Sequence, residues 1–579
     1  MIDDLDHAPD LVTLLRRHAA ERPQAEAVAF LADPDDPVGG LRRRSYAELD
    51  REARGRAAWL QQHLAPGSRV LLLHPNGLEF VAAFLGCLYA GMIAIPAPLP
   101  GRYRHQRQRL VGIAADAGIG AVLTTCADAA EVREWLAGSG TADVPVVAGD
   151  EPGLADDADA WTPVPLDRST TALLQYTSGS TGSPKGVVVR HGNILHNAHA
   201  GMRGMTWPED MRLGGWLPLY HDMGLNAQLL WGLLAGGSAV QMQPSAFVRR
   251  PLRWLRLIDA YGVNVSFAPN FAFELCLRKI GEADVAGLDL SRWDVAVCGS
   301  EPIDPRVLAA FAQRFAPAGF RPQSLLPGYG LAEATLYVSG RRGRTPLTTR
   351  VDLGALARGT FVPATRGGAT REVISCGPPT EACEIRVVDP DSREVLPEGR
   401  LGEIWVRGPG VAGGYWGHGD GGGVFGARTA LGEDGDYLRT GDLGVLHDGE
   451  LYVQGRLKDM LIVHGRNVYP QDVEQELRVH HPELGRVGVV FDTGTNGSTA
   501  GSAEVVVTHE VTGVPQERLP ALAAAMRHTV GREFGVRVGT VALLSPGTVL
   551  RTTSGKVQRS AMRELFHEGR LASLYRDPQ

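Results

Sequence analysis

Over the first half of this 579-residue chain, short apolar segments alternate with helical patterns, and that rhythm constrains the fold more than any other feature. RVLLLH (Arg69–His74) reads as a strand, Gly77–Tyr89 as a helix and MIAIPAP (Met92–Pro98) as the next strand. AVLTT (Ala121–Thr125) and VPVVAG (Val144–Gly149) add two more. After a long helix near Pro251–Tyr261 the pattern resumes with NVSFAP, a helix and DVAVCGS (Asp294–Ser300). Strand–helix–strand alternation calls for a mostly parallel sheet covered by helices. The most membrane-like stretch is Phe80–Ile95. It spans sixteen residues, contains Gly86 and Gly91 and stops at Pro96, short of the ~20 residues of a spanning helix. It reads as a buried helix running into a buried strand.

The chain is too long for one hydrophobic core, since cores stop growing near ~250–300 residues. From about Ser375 the pattern changes to short alternating strands (EIRVVD, GEIWVRG, GELYVQG) separated by Gly, Pro and Asp turns. After Gly455 a second α/β unit begins, with a helix over Gln471–His480, a strand over Ala503–Thr508, a helix over Leu519–Phe534 and a strand over Thr540–Leu544. The fold class is therefore α/β: a large N-terminal domain of parallel, helix-covered sheets plus a small β-subdomain, then a smaller α+β C-terminal domain. The expected division is 1–457 and 458–579, with the β-subdomain at about 375–457. Gly417–Gly423 reads as a glycine-rich surface loop without chemistry.

An apolar content of 44% with 21% charged residues excludes intrinsic disorder. A net charge of -7 argues against a general nucleic-acid or anionic-membrane binder. The six cysteines form no CxxC and no Cys/His ligand cluster, as for buried thiols in a reducing compartment. The N-terminus MIDDLDHAPD lacks the basic-then-apolar order of a signal peptide, and a cytoplasmic location is expected. Only four lysines occur, Lys185, Lys279, Lys458 and Lys556; every other basic residue is an arginine.

The strongest chemical signal is YTSGSTGSPKG (Tyr176–Gly186), set between the apolar segments TALLQ and GVVV. Its glycines let backbone approach a ligand, and successive N–H groups form an anion nest. The hydroxyls of Thr177, Ser178, Ser180 and Thr181, the glycines Gly179 and Gly182, and the mobile charge of Lys185 all suit phosphate. A P-loop is excluded because Pro184, not glycine, precedes the lysine.

This segment resembles the phosphate loop of the adenylate-forming (acyl-activating) superfamily, and six further motifs follow in order. GWLPLYHDMGL (Gly215–Leu225) matches the substrate side. VCGSEP (Val297–Pro302) and PGYGLAEAT (Pro327–Thr335) match the adenine-binding strand ends, and YLRTGDLG (Tyr437–Gly444) the ribose segment. GRLKDMLIVHGRNVYPQDVE (Gly455–Glu474) matches the interdomain hinge and RTTSGKVQR (Arg551–Arg559) the catalytic-lysine motif. The resemblance implies that Gly299, Ser300, Glu301, Gly328, Tyr329, Gly330, Leu331 and Ala332 surround the adenine of ATP. It implies that Asp442 accepts the ribose hydroxyls with Arg456 beside the sugar, and that Glu333 and Thr177 hold Mg²⁺. Lys556 would reach the carboxylate and α-phosphate, His221 would lie beside the acyl carboxylate, and Lys458 would be the hinge of a mobile C-terminal domain. Both reactants are anionic, so such a site needs cations and aligned donors.

Within the superfamily the details resemble fatty acyl-AMP ligases: LPLYHDMGL, FVRRPLRWLRLID, APNFAFELC and HGRNVYPQDVE. Asp222, inside HDMG, is expected to be structural. Trp216, Met223, Phe247 and Phe271 are candidate walls of an acyl pocket, although each taken alone reads better as core. The extra chain at Arg342–Val373 resembles the insertion of such ligases, which the resemblance implies packs against the large domain and hinders domain rotation; a tolerated surface insertion is the alternative. The implied reaction forms a fatty acyl-adenylate and pyrophosphate, with acyl transfer to the phosphopantetheine thiol of an acyl carrier protein supplied in trans. An acyl-CoA synthetase and an amino-acid or aryl-acid adenylation enzyme are the alternatives.

Overall fold

A computed structural model describes the chain except residues 1, 34, 36–39, 102–103, 140–142, 152, 154–156, 178–183, 206, 209, 342, 365–368, 420, 433–434, 464–465, 495–503, 552–556 and 579. The chain divides into two compact units. The first comprises Met1–Leu347, Ile374–Arg386 and Trp405–Thr440; the second comprises Thr348–Val373, Val387–Ile404 and Gly441–Gln579.

The first unit holds two large sheets. In the six-stranded sheet the order is Val146–Ala148, Ala121–Thr124, Arg69–Leu73, Ile93–Ala97, Thr171–Thr177 and Lys185–Arg190. Its pairs are parallel except the last, which is an antiparallel hairpin. The eight-stranded sheet runs Tyr337–Gly340, Leu325–Gly330, Val295–Cys298, Val265–Ala268, Arg212–Gly215, Ser238–Met242, Glu26–Leu31 and Leu41–Ser45. Only its two edge pairs are antiparallel. Strands such as VLLL and VAVC are apolar throughout because helices cover both faces, leaving no solvent side to alternate toward. Leu78–Tyr89 is one such covering helix, buried at every residue but Glu79, and Ile93–Ala97 is fully buried. Ser45 and Glu48 form a capping box at the start of the helix Tyr46–His63, an element with a readable S-x-x-E signature.

Within the second unit, strands Leu484–Asp492, Val505–Val511, Val538–Leu544 and Tyr575–Pro578 make a mixed sheet. The helices Pro470–His480, Leu519–Phe534 and Arg559–His567 accompany it. The four expected C-terminal elements lie close to their expected positions; Leu484–Asp492, interrupted by Gly485 and Gly488, adds a strand that the periodicity does not announce. The insertion contributes strands Thr348–Asp352 and Thr370–Ile374 and the helix Leu353–Ala357. Val351, Leu356, Phe361 and Val373 form a small core with Val445 and Tyr452. Arg371 also donates to Asp472 at 2.6 Å. Among the described residues no helix is long and apolar enough to cross a membrane.

Candidate active site

The two strands flanking the glycine-rich loop pair antiparallel, with Thr177 opposite Lys185 in register. Both residues therefore stand at the mouth of that loop. Ser178, Gly179, Ser180, Thr181 and Gly182 lie outside the described residues. Gly186 is sterically required, because a Cβ there would sit 2.9 Å from the Tyr176 ring. Tyr176 donates its hydroxyl to Asp116 at 2.6 Å, anchoring the hairpin to the helix Arg104–Ala117. On that helix a Cβ at Gly112 would meet Pro184 at 3.5 Å. Arg109 precedes Gly112 by one turn, half-buried; desolvation lowers its pKa, opposed by Tyr220. A guanidinium remains charged under such a shift, so it adds positive potential near this wall.

Glu333 is placed by a tight reversal. Leu325–Gly330 pairs antiparallel with Tyr337–Gly340, and Leu331 N–H donates to Leu336 O at 2.9 Å. Gly330 has no room for a side chain: a Cβ would lie 1.7 Å from Leu336 O. Between them Ala332–Ala334 make one short helical turn and Thr335 adopts a φ of 66°. The half-exposed Glu333 side chain stands at this tip. Tyr329, Leu331 and Ala332 are buried beside it, and Gly328 is half-buried.

On the neighbouring strand end, Ser300 has a φ of 68° and donates to Met223 Sδ at 3.4 Å. A non-glycine residue held at positive φ marks a locally strained position. A Cβ at Gly299 would lie 3.0 Å from Gly328 O, which explains glycine there. Glu301 accepts the Phe271 N–H at 2.6 Å, so this carboxylate holds the first turn of the helix Asn270–Lys279. Trp216 stacks on Phe247 with ring centroids 4.0 Å apart, and Phe271 meets both rings. Three of the candidate acyl-pocket residues thus form one aromatic cluster, while Met223 lies on the Ser300 side.

His221 is half-exposed and its ring lies 4.7 Å from Tyr220. Gln175, on the phosphate-loop strand, donates to Tyr220 O at 2.9 Å and ties the two segments together. Asp222 accepts the Met223 N–H at 2.8 Å and caps the helical segment Met223–Leu230. That segment has π-type hydrogen bonding, which the sequence does not signal.

The remaining candidates belong to the second unit. Asp442 is buried on the strand Leu438–His447 and pairs in register with Arg456 on Glu450–Arg456. Arg456 Nε lies 3.1 Å from Asp442 Oδ1. The preceding Gly441, at φ 68°, donates its N–H to the buried Glu403 at 3.1 Å. Lys458 is on the short turn Leu457–Asp459. Neighbouring protein atoms desolvate its ammonium and lower its pKa, with Asp459 opposing, Arg456 adding to the shift and Asp442 opposing. Lys556 lies outside the described residues.

One participant has no counterpart among the sequence-derived candidates. Tyr415 donates its hydroxyl to Glu333 Oε1 at 2.9 Å, and Lys185 Nζ lies 4.8 Å from the Tyr415 ring centroid. Thr177, Lys185 and Glu333 are thereby brought to one wall of the first unit. Their chemistry is hydroxyl, ammonium and carboxylate, which suits a phosphate chain carrying a hard divalent cation. Among the described residues no group of three or more His, Cys, Asp or Glu is placed to hold a metal. Described protein carboxylates and imidazoles alone would therefore supply only part of a coordination shell.

Comparisons with known proteins show the family of the chain. Residues 15–416 match the family described as AMP-binding enzyme. The medium-chain-fatty-acid–[acyl-carrier-protein] ligase JamA of Moorena producens is 37% identical, over 97% of this chain and 95% of that protein. The long-chain-fatty-acid–AMP ligase FadD26 of Mycobacterium marinum is 36% identical over 96% of each. Among solved structures, a fatty acyl-adenylate ligase of L. pneumophila, in complex with acyl adenylate and pyrophosphate, superposes with a TM-score of 0.75 at 32% identity and 99% coverage of both chains.

Proposed function

Since this chain belongs to the AMP-binding enzyme family, we propose that it is a fatty acyl-AMP ligase, which activates a fatty acid with ATP and passes the acyl group to a carrier protein. The observation that carries this reading is similarity to named fatty-acid ligases over almost the whole chain. The fatty acid carboxylate attacks the α-phosphorus of ATP, the acyl–O–P bond forms, and the bond to pyrophosphate breaks. Lys185 and Thr177, paired at the loop mouth, hold the phosphates. Asp442 accepts the ribose hydroxyls, with Arg456 beside it. Lys556 offsets the charge that builds between carboxylate and α-phosphate; a unit charge pair at 4 Å is worth ~4 kcal/mol at an effective dielectric near 20. His221 positions the carboxylate, and the aromatic cluster of Trp216, Phe247 and Phe271 flanks the acyl chain.

The oxygen donors Thr177 and Glu333 fit Mg²⁺, a hard cation that keeps waters and phosphates as its other ligands. When bound, the ion would offset phosphate charge and orient the leaving group. Acyl transfer goes to the phosphopantetheine thiol of an acyl carrier protein rather than to CoA. The name of JamA supports that acceptor. So does the insertion, whose core includes Val445 and Tyr452 and whose Arg371 reaches Asp472; Lys458 is then the pivot that it restrains. We place the protein in the cytoplasm, where its six free cysteines stay reduced.

Fatty-acid-dependent exchange of pyrophosphate into ATP tests the reading. Exchange is expected with a subset of straight-chain fatty acids and not with amino acids or aryl acids. Exchange driven by an amino acid alone would overturn it.

A further inference from the structure

The segment Pro409–His418 is tied on both sides to the elements that carry the phosphate loop and Glu333. On one side, Val188 N–H donates to Gly414 O at 2.9 Å, Gly413 N–H to Val188 O at 2.8 Å and Trp416 N–H to Gly186 O at 2.8 Å. On the other, Ala412 N–H donates to Glu333 O at 2.9 Å, and Thr335 donates its hydroxyl to Gly410 O at 2.7 Å. Tyr415 is 9% exposed, and its ring meets Phe425 edge-on at 5.1 Å. Gly421, in the glycine-rich loop that follows, also serves this ring. A Cβ there would lie 2.7 Å from it, and the backbone has a φ of 68°.

We propose that Tyr415 is a positioning residue for adenylation: its ring seats the Lys185 ammonium while its hydroxyl aims the Glu333 carboxylate. The 2.9 Å bond fixes one carboxylate oxygen and with it the direction of the carboxylate. The ring face attracts the ammonium by its quadrupole, so one rigid side chain sets the spacing between a phosphate-binding charge and a metal-binding carboxylate. Outer partners of this kind orient metal ligands, and their loss typically weakens metal affinity 10–100-fold. The proposal rests on reading Glu333 and Lys185 as the Mg²⁺·ATP residues.

Two variants separate the two contacts. Tyr415→Phe keeps the ring and loses the Glu333 bond; Tyr415→Leu loses both contacts. Manganese binding in the presence of ATP, read by electron paramagnetic resonance, reports the carboxylate without any turnover. ATP KM at saturating Mg²⁺ reports the lysine. Tyr415→Phe is expected to weaken Mn²⁺ binding about 10-fold, with ATP KM within twofold of wild type and an unchanged melting temperature. Tyr415→Leu is expected to show the same metal loss and to raise ATP KM about 5-fold in addition. Unaltered Mn²⁺ affinity in Tyr415→Phe, or equal loss of melting temperature in both variants with no change in metal or ATP affinity, would show that Tyr415 only fills space. The underlying reading has its own control: Glu333→Gln must weaken Mn²⁺·ATP binding, and a wild-type affinity there would overturn the site assignment and this proposal with it.

Discussion

Glu333 in the first unit and Asp472 in the second are both carboxylates held by a partner from far along the chain. Tyr415, a neutral donor 82 positions away, reaches Glu333 at 2.9 Å, and Glu333 stays half-exposed at a hairpin tip. Arg371, a cation 101 positions away, reaches Asp472 at 2.6 Å, and Asp472 is buried at the start of the helix Pro470–His480. Burial pushes the Asp472 pKa up to about 6 against the pull of Arg371, with Glu474 and Glu476 adding to the rise. Asp472 Oδ1 has no hydrogen-bond partner among the described residues. The first carboxylate is aimed and left accessible; the second is spent on joining the insertion to the C-terminal helix. Similar local chemistry serves the proposed ligand binding in one unit and cohesion in the other, and burial is what separates the two uses.

Substitutions at the site should have the largest effect on activity and little effect on stability. Glu333→Gln and Lys556→Ala are each expected to slow adenylation by about 10²–10³, the cost of removing one charge-stabilising group. Their melting temperatures should remain within about 1 °C of wild type, a shift on the order of 1 kcal/mol for a chain this size. Wild-type exchange rates in either variant would break the comparison from the activity side.

Arg371→Ala should do the converse. It strands a buried carboxylate, which costs 3–5 kcal/mol at a fully buried pair; Arg371 is one-fifth exposed, so about 2 kcal/mol is expected. Hydrogen exchange in the helix Pro470–His480 should accelerate, and Asp472→Asn should soften it less. Adenylation should stay within about threefold, while acyl-CoA should begin to form if, as proposed, the insertion suppresses it. Unchanged exchange in that helix would refute the joining role.

Acid should distinguish the units more gently. In the first, His74 is buried with neither ring nitrogen partnered among the described residues; burial pushes its pKa to about 3, Arg56 adding and Asp150 opposing. Burial likewise brings His191 to about 4, against Asp10 and Asp167. Both values lie below the ~6.5 of a free imidazole. The unfolded chain then takes up more protons between pH 6.5 and 4, and stability falls as pH falls through that window. In the second unit His509, buried and lowered to about 4, has the same sign. Asp472 has the opposite one: its folded pKa exceeds the unfolded value of ~3.9, so it costs stability above pH 6 and that cost is relieved on acidification. Between pH 6.5 and 4.5 the first unit should therefore lose more protection than the second. Hydrogen exchange at Arg69–Leu73 and Val505–Val511, corrected for the intrinsic rate, reads the difference; equal losses would contradict these assignments.

The alternation of strand and helix was legible because sheets covered on both faces need continuous apolar runs, as in VLLL and VAVC. The segment Tyr176–Gly186 stands out in the sequence because glycine, hydroxyl and lysine occur together there for a chemical reason. Tyr415 does not, since GGYW reads locally as a turn and its partners Lys185 and Glu333 are distant in sequence. The strand Glu26–Leu31 and the π-type segment Met223–Leu230 were equally silent. Their identities depend on pairing with Ser238–Met242 and on tertiary packing, not on a local period. The helix Tyr46–His63 carries a readable start in Ser45-Tyr-Ala-Glu48.

The central claim is that this chain makes fatty acyl-adenylate and withholds it from CoA. The most direct measurement offers the enzyme ATP, Mg²⁺ and a fatty acid together with equal CoA and phosphopantetheinylated carrier protein, and follows all products by mass spectrometry. Acyl-adenylate followed by acyl-carrier protein, with little acyl-CoA, is the predicted result. Efficient acyl-CoA formation would contradict the account and identify a synthetase instead.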